Sequence, residues 1–113
     1  MKTVLNKEQS NHLLKLGCKF LNNLAIQDNN GDFYMMVELE DFLNGEILPQ
    51  KIFDKELYVH NYLIMKYTGT QWQVGYSHII PFEGHLFLSE KFNEELIDAL
   101  YELTCWYYEE FKN

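Results

Sequence analysis

The sequence predicts an α+β fold: an antiparallel sheet of three to five strands with helices packed mainly on one face. The helices expected are an N-terminal one, a short middle one and a long C-terminal one. Three observations carry this. The apolar period is two from Leu57 to Ile80, broken once at Thr68-Gly69-Thr70. The period becomes helical after Asn93 and stays so to the C-terminus. The chain has 113 residues, 47% hydrophobic and 23% charged, which suits a single folded domain over 1–113.

From the N-terminus, Asn6 is placed to cap a helix, with Gln9 three residues on to complete a capping box. Leu13, Leu14, Leu16, Phe20, Leu21 and Leu24 have helical spacing, so the helix either runs from Lys7 to about Leu24 or stops at Leu16. The shorter reading is preferred, with Gly17 as the left-handed stop and an extended segment beginning near Phe20. Asp28-Asn29-Asn30-Gly31-Asp32 is a turn cluster, and Phe33 to Val37 is the returning strand. Glu38 to Asn44 reads as a short helix stopped by Gly45, and Leu48-Pro49 opens a loop.

Beyond that loop, Leu57, Val59, Leu63, Met65 and Tyr67 share one strand face, and Tyr58, His60, Tyr62, Ile64 and Lys66 share the other. Trp72, Val74, Tyr76, His78 and Ile80 alternate on a second strand that Pro81 ends. Residues 57–67 and 71–80 are expected to pair as a hairpin. His85 to Ser89 is a short β-prone stretch suited to a third strand. Asn93 is the expected N-cap of the last helix, with Glu94 and Glu95 at its positive end. Leu96, Ile97, Leu100, Leu103, Thr104, Tyr107, Tyr108 and Phe111 form its apolar face, while Asp98, Glu102 and Glu109 line the opposite side. Trp72, Val74 and Tyr76 are expected to meet Leu96, Leu100, Leu103 and Tyr107.

Charge and cysteine usage exclude several functions. Seventeen carboxylates stand against nine lysines, with no arginine, for a net charge of −8. Such a chain is repelled by a phosphate backbone and lacks the guanidinium fork that reads phosphates and guanine edges. Direct nucleic-acid binding is not expected. No apolar run reaches the ~20 residues that span a bilayer, and the N-terminus lacks the apolar core of a signal peptide. The expectation is a cytoplasmic protein without membrane contact, whose Cys18 and Cys105 remain reduced. Toward the C-terminus stand Glu83, Glu90, Glu94, Glu95, Asp98, Glu102, Glu109 and Glu110, offset only by Lys91 and Lys112. This excess is either a solvated surface or a docking face for a basic partner.

Two segments carry a resemblance. Val37-Glu38-Leu39-Glu40-Asp41-Phe42-Leu43 running on to Ile47-Leu48-Pro49-Gln50-Lys51-Ile52 has a short-helix-then-Leu-Pro-Lys pattern, and Glu94 to Trp106 reads as a closing helix. With the opening Leu16-Gly17, these resemble small uncharacterised proteins found in phage and mobile-element regions of gut Bacteroidetes. This chain departs from that pattern between Leu43 and Ile47 and in ending Tyr107-Tyr108-Glu109-Glu110. The resemblance implies a phage or mobile-element origin and supplies no catalytic residues.

Chemical motifs are sparse. Asp28, Asn30 and Asp32 imitate the start of a calcium loop, but the glycine is misplaced at Gly31 and Leu39 stands where the bidentate glutamate belongs. His78, His85 and Glu83 lack metal-ligand spacing. Cys105 lies among carboxylates that suppress a thiolate. No catalytic, cofactor or metal site is assigned. The leading expectation is a non-enzymatic accessory protein acting through protein contacts. One alternative is an acidic mimic of nucleic acid that inhibits a host defence or DNA-binding protein. The other is a small enzyme joining His60, His78 or His85 to a carboxylate. The candidate partner-binding residues are Tyr58, Tyr62, Trp106, Asp98, Glu102 and Glu109, with a homodimer expected through the sheet side bearing Tyr58 and Tyr62. A second layer of helix over that side is the competing expectation.

Overall fold

The computed structural model describes residues 1–20 and 23–112. Helix α1 spans Lys7–Lys15. The Asn6 side chain accepts the Gln9 N–H at 2.9 Å, and the Gln9 side chain accepts the Asn6 N–H at 3.1 Å, completing the capping box. Gly17 adopts φ +98°, and the N–H groups of Gly17 and Cys18 return to the carbonyls of Leu14 and Leu13. This is a Schellman closure, and it ends the helix at the shorter of the two expected positions. Leu21, which the longer helix would include, lies outside the described residues.

Strands β1 (Ala25–Gln27) and β2 (Phe33–Met35) form a separate two-stranded hairpin. Its turn is closed by Asp28, whose carboxylate accepts the N–H groups of Asn30 and Asp32. The Lys7 ammonium lies 2.6 Å from Asp28 and 3.1 Å from Asp32, so a lysine occupies the cation's place in this calcium-like loop. The returning strand ends two residues before Val37, which is fully buried and accepts the Leu5 N–H. Helix α2 covers Leu39–Leu43, with the Asp41 carboxylate accepting the Glu38 N–H.

The larger sheet is a four-stranded antiparallel meander in the order β3-β4-β5-β6. Strand β3, Lys51–Asp54, falls in the stretch that the sequence marks only as a loop; at four residues it is too short to display a period. Strands β4 (Val59–Tyr67) and β5 (Trp72–Ile80) pair as the expected hairpin. Leu57 falls in the preceding turn and is exposed, so the strand face begins at Val59. Strand β6, Gly84–Asn93, is twice the expected length and carries an irregularity opposite Tyr76/Ser77.

Helix α3 spans Leu96–Trp106 and continues as a π-helical segment over Tyr107–Phe111. Asn93 is not its N-cap: β6 pairs through to Asn93, opposite Trp72, which holds that residue in the sheet. Glu95 occupies the cap position instead, and Asn93 accepts its N–H at 2.9 Å. Helix α3 lies on β5 and β6, burying Val74 and Tyr76 against a core that includes Ile97, Leu100 and Leu103, with Trp72 partly buried at its edge. The Tyr76 hydroxyl donates to the Pro49 carbonyl at 2.6 Å, tying the loop before β3 to the core. Met65 and Tyr67 share this sheet face but sit on β4, beside the helix, and stay exposed.

Candidate functional site

The sheet face turned away from α3 has no helix over it among the described residues, so the second helical layer is absent there. Cross-strand register assembles this face. Lys51 pairs with Tyr62 and Phe53 with His60; Tyr62 pairs with Ser77, Lys66 with Gln73, and Gln73 with Phe92. Strict alternation then projects Phe53, Tyr62, Ile79 and Phe92 outward together. Tyr62 is 53% exposed and Ile79 72% exposed. The strand charges on this face are Lys51, Lys66 and Glu90, the last accepting a hydrogen bond from Gln73 at 2.7 Å. The face is therefore not acidic, although the chain carries −8 overall.

Between Tyr62 and Phe87 stands the small Ser77, paired with both and buried, as is Gly75. The Ser77 hydroxyl lies 3.1 Å from His85 Nδ1. Tyr58 is in the turn before β4, with φ +60°, and its ring meets Phe53 edge-on at 5.4 Å. It lies at the end of the outer face, next to Tyr62's strand.

The other candidate residues are differently engaged. Trp106 packs against the core, with its ring 6.2 Å from Tyr76 and 5.6 Å from Phe111. Asp98 accepts from Lys2 at 2.7 Å and from Gln9 at 2.8 Å. Glu109 is 3.1 Å from His12. Burial raises the pKa of Glu102, with Lys91 opposing the shift. The C-terminal acids are thus partly tied into contacts with the N-terminal segment, and the two tyrosines remain on the other side of the sheet.

The histidines of the enzymatic alternative are scattered. His78 Nδ1 meets the buried Asn61 Oδ1 at 3.0 Å, His85 meets Ser77, and His60 packs on Phe53 at 5.1 Å. A cleft of about 600 Å³ between the β3–β4 turn and the π-helical segment is lined by Asp54, Glu56, Leu88, Tyr107, Glu110 and Phe111, among others. Its lining includes carboxylates and aromatics but none of these histidines. Cys105 has its thiol pushed up by burial, reinforced by Glu109 and Glu102.

Phe53, Ile79 and Phe92 join the outer face without having been singled out by the sequence. Ile79 has the parity opposite to Val74 and Tyr76, a signal already present in the chain. Phe53 and Phe92 needed β3 and the full length of β6. No helix is long and apolar enough to cross a membrane among the described residues. No protein-family model matches the chain, and no curated protein or solved structure matches it either.

Proposed function

We propose that this chain is a non-enzymatic cytoplasmic accessory protein that acts through protein–protein contacts, with a second copy of itself as the first occupant of the outer sheet face. The observation that carries the reading is the uncovered cluster of Phe53, Tyr62 and Ile79, with Phe92 exposed farther along the same face. Exposed apolar patches of this kind mark contact surfaces, and a twofold dimer lets one patch cover its copy. Two lysines and one carboxylate on this face leave self-pairing unopposed by the acidity found elsewhere. The phage or mobile-element origin rests on the sequence resemblance. Nucleic-acid mimicry is less well supported, because Asp98 and Glu109 are engaged by Lys2 and His12.

Light scattering across a tenfold concentration series tests this. The expected mass is twice that of the 13.6 kDa chain, and Tyr62→Glu is expected to restore the single-chain mass. A constant 13.6 kDa at high micromolar concentration would reject self-association. A Tyr62→Glu protein that still dimerised would reject this face.

A further inference from the structure

We propose that His12, Cys105 and Glu109 form a three-ligand site for a zinc-class divalent cation. Their ligand atoms, an imidazole nitrogen, a thiol sulfur and a carboxylate oxygen, all lie within 4.8 Å of one another. Zinc takes this mixed set, with bonds of ~2.0–2.3 Å that place tetrahedral ligand atoms ~3.3–3.8 Å apart. A pair at the full 4.8 Å would therefore have to close by about 1–1.5 Å to meet on a metal. His12 Nε2 and Glu109 Oε1 are already 3.1 Å apart. Calcium and magnesium prefer all-oxygen shells, so the sulfur and nitrogen select a softer ion.

The fold brings these groups together from distant parts of the chain. Cys105 lies near the end of α3 and Glu109 follows four residues later in the π-helical segment, so the two share one side of the helix. Such segments occur often at functional sites. His12 comes from α1, whose approach to α3 is fixed by the contacts of Lys2 and Gln9 with Asp98. Glu102, one turn before Cys105, adds negative potential around the cluster. His12 and Glu109 are both solvent-accessible, which leaves an entry path and room for a water as fourth ligand. A bound cation would clamp α1 to the end of α3.

Titration of the reduced protein with Co²⁺ tests the assignment. One equivalent should bind saturably and produce a thiolate-to-cobalt charge-transfer band, and Zn²⁺ should displace it. Cys105→Ser should abolish the band. His12→Ala should weaken binding by at least about 10–100-fold, the loss that follows removal of even a supporting partner of a metal ligand. Cys18→Ser and His85→Ala should bind as the parent does. If Cys105→Ser fails to fold by circular dichroism, the partly exposed His12→Ala gives the same reading. Absence of saturable binding, a band that survives Cys105→Ser, or binding unchanged in His12→Ala would overturn the proposal.

Discussion

Gly75 shows how one residue shapes the outer face. A Cβ at this position would stand 2.9 Å from the Phe87 ring and would collide with the Ser89 carbonyl oxygen. The phenyl ring thus covers bare backbone, an arrangement that only glycine permits in a strand interior. Gly75→Ala is expected to cost about 1–3 kcal/mol, because backbone of β6 must move to admit the methyl group. Thermal denaturation would read this as a drop of several degrees, and an unchanged midpoint would contradict it. Gly75 is visible inside an alternating strand, yet the alternation alone says nothing of what lies above it. Tyr58 is a similar case: its φ of +60° arises from the turn geometry, where the Asp54 carbonyl accepts its N–H.

Among helices and strands, local chemistry decides some boundaries and pairing decides others. Helix α1 begins and ends where Asn6, Gln9 and Gly17 place it, since its cap bonds lie within a few residues. Asn6→Ala should therefore lower stability by about 1 kcal/mol, through loss of the cap to the Gln9 N–H. A chemical-denaturation midpoint equal to that of the parent would show that the cap is dispensable. Helix α3 differs, because the cap-like Asn93 is held by its pairing with Trp72 and the helix starts later. Strand β3 forms because β4 supplies its partners, Lys51 to Tyr62 through Asp54 to Val59. Four residues of β3 contain too little periodicity to reveal that in advance.

Across the folded chain, buried titratable groups set an alkaline limit. Burial pushes the Cys18 thiol from 9.0 up to about 11, and the Tyr108 hydroxyl from 10.0 up to about 12. Tyr76 is raised in the same direction by burial. A raised pKa means that the folded state holds its proton when the unfolded chain releases it. The stability these groups contribute is complete below pH 9 and is lost as pH rises through 9 to about 12. The melting temperature should stay level to about pH 9 and then fall, with a shallower fall between 9 and about 11 in Cys18→Ala. A level profile to pH 11 would show that these groups titrate freely in the folded protein.

The α+β class, the β4–β5 hairpin, the capped first helix and the apolar face of the last are all legible in the linear chain. Each rests on periodicity or on bonds between near neighbours, which a linear chain contains. Packing was needed to settle that α3 covers one sheet face and leaves the other bare, that Asp98 is joined to Lys2, and that His12 meets Cys105 and Glu109. Those outcomes depend on how separate elements come together. They are governed by long-range contacts between residues whose spacing along the chain carries no trace of their meeting.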